Sequence, residues 1–202
     1  MKTPSIPVLA AALLAALIHS EASAERAARI TNHEAEGNLQ STVELGCIPV
    51  REARNVYTPA DLYKAVAKCI ESGNPTDGVP LYALAGVYGR FDTLRVPDRS
   101  AHQALLALQF ENISSIDEEK MNLFRTQMGR TAGDASALAA MCAQLRDVGP
   151  PDYYPRYMVQ HGMGAFLGGG GDGLAPDFDA ASSWEKSLDS YLHCPPAPAT
   201  EG

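Results

Sequence analysis

Four cysteines, Cys47, Cys69, Cys142 and Cys194, follow an N-terminal leader that reads as an export signal, and that pairing constrains the chain most. The leader opens Met1-Lys2-Thr3, with one positive charge. A nearly unbroken apolar run from Ile6 to Ile18 follows, and Ala22-Ser23-Ala24 supplies small residues at its exit. A membrane-spanning helix needs roughly 20 apolar residues, so this run is too short to span. Charge, apolar core and small-residue exit in that order describe a secretory signal peptide cleaved near Ala24. Export to a periplasm or beyond puts the thiols in an oxidising compartment, where an even number of cysteines is expected as disulfides. Of the three possible connectivities, Cys47–Cys69 and Cys142–Cys194 tie predicted helices to neighbouring segments and are the favoured pairs. Zinc is the rival use of four thiols. It asks for C-x₂₋₄-C spacing, which no two of these cysteines have, so no metal or other cofactor is expected.

The expected organisation is a signal peptide at 1–24, an irregular N-terminal arm at 25–56, a helical domain at 57–194 and a disordered tail at 195–202. What remains after the leader suits one domain at roughly 100–200 residues. Net charge is −8. Such an acidic chain repels phosphate backbones, which argues against nucleic acid and leaves room for a basic partner. No later stretch approaches spanning length, so stable membrane insertion is not expected.

Helix punctuation starts at Thr58-Pro59-Ala60-Asp61, which combines an N-cap, a first-turn proline and an acid at the third position. Leu62, Val66, Cys69 and Ile70 follow at helical spacing, and Gly73 and Pro75 close the helix. A second helix is expected from about Asp77 to about Tyr88, antiparallel to the first, with Gly86 letting a neighbour approach. Asp98 introduces a third helix through Ala101, Leu105 and Leu108. Ser115-Ile116-Asp117-Glu118 reads as a capping box for a fourth, with Met121, Phe124 and Met128. Asp134 opens a fifth that ends at Gly149, before Pro150 and Pro151. A short helix is expected over 155–161, a glycine loop over 168–173, and a last helix from the box Ser182-Ser183-Trp184-Glu185 through Leu188 and Tyr191. No alternating β-branched run exceeds a few positions. The fold class expected is all-α: one disulfide-stapled bundle of about six to seven helices with an irregular N-terminal arm.

Residues 62–89, with Tyr82-Ala83-Leu84-Ala85-Gly86-Val87-Tyr88-Gly89 in the second half, resemble a single helical hairpin of the Sel1/tetratricopeptide kind. No second copy follows, and repeat arrays need about three units to bury their faces. The resemblance implies a helix-hairpin scaffold suited to holding a partner.

Motifs that carry chemistry are sparse. Gly168 to Gly173 satisfies G-x-G-x-x-G, but no strand precedes it and Pro176 follows, so it reads as a flexible loop. Asp172, Asp177 and Asp179 lack the order of a calcium loop. Asn112-Ile113-Ser114 is a formal glycosylation sequon, without meaning in the bacterial setting that the leader and alanine content suggest. The stretch from Arg90 to Arg99 is dense in charge. Its arginines Arg90, Arg95 and Arg99 read first as a structural network with Asp92 and Asp98, and second as a site for an anion or acidic partner. Tyr153, Tyr154, Arg156, Tyr157, Met158 and His161 gather anchor-type side chains before the glycine loop, and any binding to a protein partner is expected there. His161 has the chemistry of a general base, yet no G-x-S-x-G or H-E-x-x-H accompanies it. The function expected is thus a periplasmic, non-enzymatic protein-binding domain, in its most concrete form an immunity-type inhibitor of a toxic effector. The rivals are a hydrolase of unfamiliar type that uses His161 and an envelope-assembly or structural factor.

Overall fold

Thr58 shows how the chain starts its helices. In the computed structural model, described for residues 35–168 and 171–196, its hydroxyl accepts from the Asp61 amide at 3.3 Å while the Asp61 carboxylate accepts from the Thr58 amide at 2.7 Å. That reciprocal box opens α1 (Pro59–Glu71). Gly73, at φ +69°, closes it. Its amide reaches the Ile70 carbonyl and the next amide, of Asn74, reaches that of Cys69, so a glycine satisfies the helix's last carbonyls.

Asn74 then caps α2 (Pro75–Arg95), two residues earlier than the sequence reading places the start and seven later than it places the end. The reason lies in burial. Val79, Leu81, Leu84, Val87, Tyr88 and Phe91 are all buried, on every side of the helix, so no apolar stripe marks its limits. Its glycines are notches, not breaks. Gly78 lies 3.1 Å from Cys69 Cβ by the position its own Cβ would take, and a Cβ on Gly89 would run into Leu105. Only Pro97 stops the helix, by holding Val96 extended at φ −102°, ψ 106°.

A 3₁₀ turn at Ala101–Gln103 leads into α3 (Ala104–Ile113), followed by α4 (Glu118–Gly133), α5 (Ala135–Val148), the single turns α6 (Arg156–Val159) and α7 (Met163–Phe166), and α8 (Ala180–Leu192). Asp134 caps α5 as expected, through Ser136 and Ala137. Asp98 does not cap α3, which follows the 3₁₀ turn and starts at Ala104 without a side-chain cap. Two further caps move. Asp117, not Ser115, caps α4, and Asp179, not Ser182, caps α8. In each case an aspartate competes with a serine a few residues away for the same orphan amides.

The described residues form eight α-helices and no strand, against six to seven helices expected. α1, α4 and α8 pack around α2, with α3 against α1 and α5 against α4. Two disulfides join Cys47 to Cys69 and Cys142 to Cys194, the pairs favoured from sequence. The arm at 35–49 has neither helix nor strand and is tied down at Asp61. That fully buried carboxylate accepts from Ser41 Oγ, from the Thr42 amide and hydroxyl, and from the Val43 amide, besides Thr58. A buried charge is tolerable only when its lone pairs are used in this way. No helix among the described residues is long and apolar enough to cross a membrane. Disulfides persist in oxidising compartments and are rare in the cytosol, which agrees with a place outside the cytoplasm. The signal peptide expected at 1–24 and residues 197–202 of the expected tail lie outside the described residues.

Candidate functional site

The two stretches singled out in the sequence, 90–99 and 153–164, meet at Asp92. Asp92 and Arg95 stand one turn apart on the last turns of α2. Asp92 is fully buried and Arg95 nearly so. Arg95 Nε donates to Asp92 Oδ1 at 2.8 Å, and Nη2 stands 2.7 Å from the same oxygen as an ion-pair contact without the alignment of a hydrogen bond. The other oxygen accepts from Tyr157 Oη at 2.7 Å and from Tyr153 Oη at 3.0 Å. The guanidinium lies between two rings, 5.1 Å from the centre of Phe91 and 5.0 Å from that of Tyr153. Burial pushes the Asp92 carboxyl up, against the downward pull of Arg95 and of both phenols. Burial, and then the Asp92 charge, push the Tyr153 and Tyr157 phenols well above their usual value, so both stay neutral donors. With every oxygen engaged and no face open to solvent, this cluster anchors the segment at 153–157 to α2. Met158 is buried beside it. Arg95, Tyr157 and Met158 therefore support the surface from within and are not part of it.

Around this anchor the remaining residues are exposed or partly so. Tyr154 Oη donates to the Asp172 carbonyl at 2.6 Å. Arg156 pairs with the Glu36 carboxylate at 3.2 Å and lies across Gly37, where φ is +94° and any Cβ would strike its side chain. His161 Nδ1 meets Asn38 Oδ1 at 2.8 Å, and the Leu39 amide donates to the Tyr157 carbonyl at 3.2 Å. The arm is thus stitched along α6. On the α2 side, Arg90 Nε reaches Ser190 Oγ on α8 at 3.2 Å. Arg99 is exposed and forms no ion pair among the described residues. The two arginine positions nearest solvent therefore do not converge with Tyr154 and Arg156 on one shared partner group.

Sequence reasoning missed a clasp and what it carries. Asp98 Oδ1 accepts from Ser100 Oγ at 2.6 Å and from the Ser100 amide at 2.9 Å, and Oδ2 accepts from the Gly164 amide at 2.9 Å. Ser100 Oγ in turn accepts from the Met163 amide at 2.8 Å. The serine hydroxyl first, and then the Gly164 amide, hold the Asp98 carboxyl below its usual value. Gly162 must be glycine, since a Cβ there would run into Asp98 and Ala101. The clasp seats α7, from which Met163, Phe166 and Leu167 stand 56, 51 and 77 % exposed. Tyr154, close by in sequence, is 44 % exposed. The available signal was apolar residues at 163, 166 and 167, a helical spacing, in a stretch from 157 to 171 with no Asp, Glu, Lys or Arg.

Chemically, this surface offers apolar area and satisfied polar groups. His161 Nδ1 meets the neutral amide of Asn38, neither a nucleophile nor an orienting acid. Among the described residues no three His, Cys, Asp or Glu side chains gather as a metal site. No protein family, curated protein or solved structure matches the chain.

Proposed function

We propose that the chain is an exported helical domain that works by binding a protein partner through Tyr154, Met163, Phe166 and Leu167, and in its most concrete form neutralises a toxic effector in the periplasm. One observation carries this reading: three large apolar side chains stand half or more exposed on a turn held by the half-buried Asp98 and Ser100, whose oxygens accept from the Gly164 and Met163 amides. Exposed apolar patches on soluble domains mark interaction sites. A turn fixed beforehand by Asp98, Ser100 and the Asp92 anchor loses little freedom on binding, which favours affinity. The acidic chain, at −8, suits a basic partner. A hydrolase based on His161 finds less support, since that ring is engaged with Asn38.

The test is a photocrosslinking residue at position 167 in the producing cell, with Phe166→Asp and His161→Ala tested beside it. A discrete adduct and a phenotype, both lost in Phe166→Asp and both kept in His161→Ala, are expected. A phenotype abolished by His161→Ala in a folded protein but untouched by Phe166→Asp would reverse the order of the two readings.

A further inference from the structure

Tyr82 stands where two apolar hollows join. One, of about 350 Å³, lies between α3 and α4; the other, of about 610 Å³, lies among α2, α4, α5 and the end of α8. Tyr82 and Met128 line both. The larger is walled by small or aliphatic groups such as Ala83, Ala132 and Leu138. Small-molecule sites are typically of about 300–1,000 Å³, mostly apolar, with a few polar groups that fix orientation.

The polar side chains on the larger hollow are the phenols of Tyr82 and Tyr191, His193, and Thr131, whose hydroxyl already donates to the Gln127 carbonyl. Tyr191 enters from α8 and lies over Gly86, where any side chain would collide with its ring and hydroxyl. The hydroxyls of Tyr63, Tyr88, Tyr153, Tyr154 and Tyr157 each have a partner in the protein. Three have none among the described residues: that of Tyr57, which lines neither hollow, and those of Tyr82 and Tyr191, both of which line the larger one. Burial pushes both upward, Tyr191 to about 12 with Tyr82 beside it, so both are neutral donors at ordinary pH.

We infer that this cleft binds a small amphiphile: an apolar chain lies between Ala83 and Ala132, and one carboxylate or carbonyl oxygen accepts from Tyr82 and Tyr191. A partner's apolar helix is the poorer occupant, because covering the cleft would strand both hydroxyls without an acceptor. The inference is independent of the surface around Leu167.

Two probes read the two halves of the site. Dodecanoate, below its micelle concentration, carries an acceptor; N-phenyl-1-naphthylamine is apolar and has no carbonyl or carboxylate. The full chain is expected to bind each saturably, one to one. Ala132→Phe, or Ala83→Leu if the first variant does not fold, is expected to abolish both. The double variant Tyr82→Phe, Tyr191→Phe is expected to weaken dodecanoate by about tenfold or more, at several-fold per hydrogen bond, and to leave the naphthylamine unchanged. Absence of saturable dodecanoate binding, survival of binding in a folded filled variant, or equal loss of both probes in the double variant would each overturn the proposal.

Discussion

Asp61 and Asp92 are both fully buried carboxylates, held in different ways. Asp61 takes neutral donors from its own helix cap and from the arm at 41–43. Asp92 pairs with a guanidinium that is itself shut away from water. Removing Asp92 therefore leaves a buried, unpaired Arg95, so Asp92→Ala is expected to cost about 3–5 kcal/mol in urea denaturation. Tyr157→Phe removes a single bond to the same charge and is expected to cost about 1.5–3 kcal/mol. Equal losses in the two variants would mean that the ion pair is not the anchor described. The Asp92–Arg95 spacing was legible as a structural network. Its tyrosine partners were not, because they lie 61 and 65 residues away in sequence.

Among the elements, the ends of α2 were misread because it is buried all round, and Pro80 sits inside it. A proline in a helix interior costs about 3 kcal/mol through its missing amide and its clash with the preceding turn. Replacing it also frees the unfolded chain, by about 0.4–1 kcal/mol, and gives up the packing of a half-buried ring. Pro80→Ala is thus expected to stabilise the fold by about 1–2 kcal/mol, seen as a higher urea midpoint at unchanged slope. A lower midpoint would show that the ring's packing outweighs the helix strain. Elements with one strong cap and one apolar stripe, α1 and α5, were legible almost to the residue. The caps of α4 and α8 were ambiguous because serine and aspartate stood within three residues of each other.

For the whole molecule the two disulfides set the ranking of staples. Cys142–Cys194 closes 52 residues and joins α5 to the end of α8; Cys47–Cys69 closes 22 and joins the arm to α1. Loop-closure entropy assigns them about 4 and about 3 kcal/mol. Replacing each pair by serine is expected to lower stability in that order, measured by chemical denaturation of the two variants. A larger loss from the shorter loop would point to strain or to arm packing in place of chain entropy.

Local chemistry was enough to announce the helical class, the cysteine pairs and the starts of α1 and α5, since caps, prolines and apolar spacing act over a few residues. Which side of each chosen residue faces water was decided only in three dimensions. Tyr157 and Met158 went inside because Asp92 waited there, and Phe166 and Leu167 stayed outside because Asp98 and Ser100 clasp the turn before them. That Tyr82 and Tyr191 line one hollow depended on helices 2 and 8 meeting at Gly86: the sequence marked a close approach there but not which helix makes it.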